Sequence, residues 1–91
     1  MICKYFFIIN PGSKHGKGKK FLYRIKEEFD SKNITFGYKE TVSLEDAYLL
    51  SKKANYEGYE IIVAVGGDGT INKVIAGFYD DTGKRISGSK L

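Results

Sequence analysis

The chain has 91 residues, one cysteine, one proline, no tryptophan and a formal net charge of +4 at pH 7. That length holds one small domain at most, and an apolar fraction of 42% sets the chain apart from disordered sequences. No apolar run approaches the roughly 20 residues needed to cross a bilayer, and a lone Cys3 can form no internal disulfide, which predicts a reducing, cytoplasmic setting.

Residues 5–9, Tyr-Phe-Phe-Ile-Ile, form a continuous apolar run of the kind found in strands buried on both faces. The run is too short, and too soon followed by Asn10-Pro11-Gly12, to be a signal peptide. A basic loop follows, with Lys14, His15, Lys17, Lys19 and Lys20 interleaved with Gly16 and Gly18. Phe21, Ile25 and Phe29 then recur at every fourth position, with Leu22 beside them and charged residues elsewhere, which predicts an amphipathic helix. Ile34, Phe36 and Tyr38 alternate with Thr35, Gly37 and Lys39, a second strand with one exposed face.

Ser43-Leu44-Glu45-Asp46 supplies a capping-box start for a second helix, whose inward stripe is Leu44, Ala47, Tyr48, Ser51 and Ala54. Gly58 suits the C-terminal cap of that helix. Residues 60–65 read as a third strand, emptying into Gly66-Gly67-Asp68-Gly69-Thr70. This turn feeds a third helix, with Thr70 as its cap and Ile71, Val74, Ile75 and Phe78 facing inward. Strand, glycine turn and helix start together present backbone N–H groups to a phosphate, and positive φ is expected at these glycines. Residues 80–91 have almost no apolar content and no period, so they read as a tail, or a linker toward a further strand.

The order β-α-β-α-β-α predicts an α/β fold: a parallel sheet between two helical layers, joined by right-handed crossovers. Ligands of such sheets bind beyond the carboxyl ends of the strands. The loop after strand one, the Glu40-Thr41 loop after strand two and the glycine turn all emerge at that edge. A sheet of three strands is a thin core, and an unpaired edge on the third predicts self-association into a homo-oligomer.

Several familiar motifs fail. The phosphate-binding P-loop needs four residues between its glycines and a hydroxyl after the lysine. Five residues separate Gly12 from Gly18, and Lys19 is followed by Lys20. The dinucleotide fingerprint fails because Phe21 stands where its third glycine belongs. One His and one Cys give no zinc cluster, and His15 alone supports no hydrolytic triad.

Gly66-Gly67-Asp68-Gly69-Thr70-Ile71-Asn72, with Asn10-Pro11 after the first strand and Glu40-Thr41 followed by Ala47, resembles the diacylglycerol kinase catalytic domain family. That family includes bacterial diacylglycerol kinases, sphingosine kinases and ceramide kinases. The resemblance implies a phosphofructokinase-like fold, ATP as co-substrate and Mg²⁺ as its metal. It places Asn10, Pro11, Gly12, Ser13, Lys14, Thr41, Gly66, Gly67, Asp68, Gly69, Thr70, Ile71 and Asn72 around the nucleotide. ATP carries about four negative charges, and Lys14, Lys17, Lys19 and Lys20 lie near enough in sequence to screen them. Asp68 would organise phosphates through metal or water, or else serve as a turn carboxylate accepting helix N–H bonds.

Three features depart from the family pattern. Lys14 stands in a glycine place, Lys73 replaces a common Glu, and the sequence stops before the family's next strand and its Gly-Thr-Gly-Asn-Asp loop. Residues 1–79 therefore read as part of an ATP-binding domain and 80–91 as the linker or tail. The lipid site and general base of the family would lie in a C-terminal lipid-binding domain outside this sequence, so no catalytic residue is assigned within it. The expected activity is γ-phosphoryl transfer to a lipid hydroxyl, peripheral to the membrane, with no nucleic-acid partner. An NAD kinase-type domain and a non-catalytic nucleotide-binding module are the alternatives.

Overall fold

The computed structural model describes residues 4–10, 17–32 and 34–91, and the backbone alone for residues 17–22. Its elements are β1 (Lys4–Ile9), α1 (Lys17–Ser31), β2 (Thr35–Glu40), α2 (Leu44–Tyr56), β3 (Ile61–Val65) and α3 (Asp68–Ala76). The strands form one parallel sheet in the order β2-β1-β3. This is the predicted α/β architecture.

Register and pleat divide the side chains into two cores. Tyr5 lies opposite Phe36 and Ile61, and Ile9 opposite Glu40 and Val65. Alternate residues point to opposite faces, so Phe7, Ile9, Val63 and Val65 lie under α1, packed with Ile25 and Phe29. Phe29 meets Phe36 edge-on at 5.3 Å between ring centres. On the other face, Ile8 and Ile62 are fully buried beneath Ala47, Ala54, Val74 and Phe78 of the α2/α3 layer. The apolar run of β1 is continuous because β1 is the central strand. At the margin β2 is mostly exposed, with Lys26 over the Tyr38 ring at 5.2 Å.

Local signals set the bounds of α2. Ser43 Oγ accepts from the Asp46 N–H, and the Asp46 carboxylate accepts from the Val42 N–H at 2.9 Å, a capping box displaced by one residue. At the far end Gly58 adopts φ +82°, the Gly58 N–H bonds Asn55 O, and the Tyr59 N–H bonds Ala54 O. That is a complete Schellman motif.

The glycine turn differs from its sequence reading. α3 begins at Asp68 rather than Ile71, Gly67 is its N-cap, and Thr70 is buried inside the first turn. Among the described residues positive φ occurs at Gly58 and Gly83, not at Gly66, Gly67 or Gly69. Gly69 is already helical, and Asp68 in the first turn suits the positive end of the helix. Ile75 and Leu44, expected inward, are 41% and 49% exposed, because each stands at the margin of the α2/α3 layer. Glu40 ends β2 instead of opening the following loop.

Residues 80–91, read as a tail or linker, carry ordered structure. Asp80 Oδ1 accepts from the Thr82 N–H, the Thr82 hydroxyl and the Lys84 N–H, closing a turn at Gly83 (φ +87°). The Thr82 hydroxyl and these backbone donors hold the Asp80 carboxyl below its ordinary range. Asp81 pairs with Lys52 at 3.0 Å, and that hydrogen bond raises the Lys52 ammonium above its usual value. The Arg85 guanidinium lies over the Phe78 and Tyr79 rings, and Ser87 bonds Asn55. Lys90 then forms a parallel bridge with Ile61, its N–H donating to Glu60 O and its carbonyl accepting from Ile62 at 2.8 Å each. The β3 edge, expected bare, has one rung occupied.

Candidate functional site

The chain leaves β1 at the centre of the sheet, turns to β2 on one side, and returns across to β3 on the other. α1 covers one face and α2 with α3 the other, so the carboxyl end of β1 is a topological switch point. Asn10 and Gly66 follow the adjacent strands β1 and β3 there, and Thr41 follows β2. Backbone bonds tie the three ends together: the Asn10 N–H donates to Val65 O and the Thr41 N–H to Ile9 O, both at 2.8 Å.

Side chains complete the closure. Asn10 Nδ2 donates to Thr70 Oγ1 at 3.3 Å, across 60 residues of sequence. Thr70 is 2% exposed and packs over Gly66, where a Cβ would come within 2.7 Å of its hydroxyl and 3.1 Å of Asn10 Cβ. Gly66 is therefore required for space, not for an unusual φ. Gly67 has the opposite surroundings, with nothing among the described residues within 4 Å of the place its Cβ would take.

The two helix starts at this edge contrast. α2 is closed by Ser43 and Asp46 and carries Glu45 beside them. Among the described residues α3 has no side-chain cap, so its first N–H groups lie open at the positive end of the helix dipole. Asp68 and Asn72 are exposed, Ile71 is half-buried, and the Asp68 carboxylate takes no hydrogen bond among the described residues. It is not the turn carboxylate that one sequence reading allowed. Lys73 Nζ lies 3.9 Å from Glu45 Oε2, which bridges α3 to α2 beside the turn.

The structure thus brings together Asn10, Thr41 and residues 66–72. Pro11, Gly12, Ser13 and Lys14 lie outside the described residues, as do the side chains of Lys17, Lys19 and Lys20. Two features escaped the sequence reading. The pairing of Glu45 with Lys73 has no local signal, since the partners are far apart in the chain. The approach of Leu44 to Gly69, 3.4 Å from its would-be Cβ, follows from helix packing alone. A cavity of about 450 Å³ lies between the start of β3 and residues 87–90, at the end of the sheet away from these loops. It plays no part in this site.

Comparison with known proteins shows the family. The diacylglycerol kinase catalytic domain family matches residues 4–87, past the predicted boundary at residue 79. A chain of Streptococcus pneumoniae serotype 4 named "Putative lipid kinase" is 42% identical over 77 residues, 81% of this chain and 25% of its own length. The diacylglycerol kinase of Bacillus subtilis strain 168 is 34% identical over 70 residues, 77% of this chain and 23% of its own. That of Staphylococcus carnosus is 33% identical over 70 residues, again 23% of its length. The chain thus spans about a quarter of these relatives. The match begins at β1 and runs through the whole glycine turn, so this chain belongs to the diacylglycerol kinase catalytic domain family.

Proposed function

We propose that the chain is the nucleotide-binding part of an ATP-dependent lipid kinase, whose complete form transfers the γ-phosphoryl group to a lipid hydroxyl such as that of diacylglycerol. The observation that carries this reading is the uncapped start of α3, held in place by the Asn10–Thr70 bond over Gly66. Backbone donors fixed in this way suit the phosphates of a nucleotide. Phosphoryl transfer relies on positioning and charge neutralisation, which a preformed cradle supplies. Relatives named as diacylglycerol and lipid kinases favour this reading over an NAD kinase-type domain.

The donor set fits a metal carried by the nucleotide. Among the described residues no three His, Cys, Asp or Glu side chains cluster. Mg²⁺ commonly keeps several waters and takes one or two carboxylates together with substrate phosphates. Asp68, exposed beside the open N–H groups, is the carboxylate that would face such an ion, directly or through water. When bound, the metal would neutralise phosphate charge. No helix among the described residues is long and apolar enough to cross a membrane, and we place the enzyme at the cytoplasmic membrane surface, where its lipid substrate lies.

Gly67→Ala tests the cradle. Its Cβ enters open space, so the helical circular-dichroism signal should persist while ATP affinity falls about tenfold, equivalent to about 1.4 kcal/mol. Unchanged affinity would refute phosphate binding at α3 and move it to the loop of Lys14 to Lys20.

A further inference from the structure

The two edges of the sheet are not alike. At β3 the Lys90 rung takes the Glu60 carbonyl and the Ile62 N–H. β2 is the other edge strand. Just past it the Thr41 N–H bonds Ile9 O, so Thr35, Gly37 and Lys39 turn their backbone groups toward β1, and Phe36, Tyr38 and Glu40 turn theirs outward. Among the described residues nothing pairs with those outward groups. Natural edge strands are blunted by proline, by bulges or by charge. β2 has no proline, its register with β1 is unbroken, and Tyr38 at its middle is 42% exposed. Its charges are one of each sign, Lys39 and Glu40.

We propose that two copies of this chain join through β2, antiparallel about a twofold axis at Tyr38, so that their sheets become one. In that register Tyr38 meets Tyr38 of the second copy, Phe36 meets Glu40 and Gly37 meets Lys39. Every outward N–H of either strand then gains an acceptor. Charge selects this register. Phe36 packs against Phe29 of α1, and Glu40, four positions on, shares its face. On that face Lys26 lies over the Tyr38 ring at 5.2 Å, so each Lys26 looks across the axis toward Glu40 of the other copy. Neither has an ion-pair partner among the described residues. An axis at Lys39 would oppose two like charges. An axis at Gly37 would draw on the Ile34 N–H, which already bonds Phe29 O. Twofold symmetry closes the assembly at two copies. The carboxyl ends of the two β2 strands point apart, so the loops at Asn10, Thr41 and Gly66 of each copy lie at opposite ends of the joined sheet. The pairing is independent of the nucleotide reading.

Sedimentation equilibrium over a concentration series tests it, and the parent should show a monomer–dimer equilibrium. Tyr38→Pro deletes an outward N–H that the chain's own ladder does not use, a place where an edge strand accepts proline. It should stay monomeric with its helical circular-dichroism signal unchanged. Lys26→Glu and Glu40→Lys, both at exposed positions, should each weaken the dimer about tenfold, because symmetry applies each change twice. Combined, they should restore it to within about threefold of the parent. A monomer at every concentration would overturn the self-pairing and leave the edge to an extended segment of another protein. A dimer that all these substitutions leave intact, or single reversals that the double variant does not rescue, would overturn it equally.

Discussion

Substituting Gly66 by Ala tests the closure that shapes the site. The new Cβ would lie 2.7 Å from Thr70 Oγ1, 2.9 Å from Thr70 Cβ and 3.1 Å from Asn10 Cβ. The nearest approach is short of ordinary contact by about 0.7 Å. Thr70 is 2% exposed and cannot swing into solvent, so β3 and α3 must separate or the Asn10–Thr70 bond must break. Overpacking of this kind costs about 1–3 kcal/mol, and loss of a hydrogen bond adds about 1 kcal/mol. A total of about 2–4 kcal/mol lowers the melting temperature of a domain this size by at least about 10 °C. Thermal unfolding followed by far-UV circular dichroism reads the shift. Gly67→Ala is the control, since its Cβ meets nothing and an N-cap Ala in place of Gly costs about 1 kcal/mol at most. In a Thr70→Ala background the same Gly66 substitution should cost less by at least about 0.5 kcal/mol, because one clashing atom is gone. Melting of Gly66→Ala within about 2 °C of the parent, or equal costs in both backgrounds, would refute the reasoning.

Gly77→Ala should be at least as damaging, about 2–3 kcal/mol in urea unfolding, because its Cβ would sit 2.6 Å from Ser51 Cβ and 2.7 Å from the Tyr48 carbonyl. Gly58→Ala places a side chain at φ +82° in open space, so its cost of about 1 kcal/mol is purely conformational, and Gly58→Asn should recover part of it. Asp80 holds its turn only when ionised: its carboxyl is shifted below the ordinary 3.8, so the contribution is complete above that pH and is lost as pH falls through the lower folded value. Protection of the Thr82 and Lys84 amides, relative to their intrinsic exchange rates, should therefore fall at acid pH in the parent and show no such acid transition in Asp80→Ala.

Much of this was legible in the sequence because its signals were local. Alternation and apolar runs located three strands, and the unbroken apolar run within β1 announced a strand covered on both faces. Ser43 with Asp46 and Gly58 marked both ends of α2 through hydrogen bonds that span a few residues. The glycine turn was recognised, but its conformation was not. Three glycines suggested positive φ, whereas the cause at Gly66 is a side chain, Thr70, arriving from the helix that follows. Thr70 looked like a cap because hydroxyls favour that position, yet its hydroxyl is taken by Asn10 from another strand. The order of residues 80–91 was equally hidden. Its stability comes from Asn55, Lys52 and Ile61, partners about thirty positions away that no periodicity records.

Position alone does not explain why an anion would choose α3 over α2. Both helices start at the same edge and both point a positive end there. At α2 the Ser43 hydroxyl already accepts from the Asp46 N–H, and Glu45 and Asp46 in the first turn add negative charge. An incoming phosphate there would meet the carboxylates of Glu45 and Asp46. At α3 the cap is Gly67, which offers no side chain, and the Asp68 carboxylate stands in solvent without engaging the N–H groups. The Asn10 amide, at the end of the adjacent strand, donates to Thr70 and so braces α3. The sequence thus spends its polar side chains on closing one helix and bracing the other, and the braced helix is the one left open to phosphate.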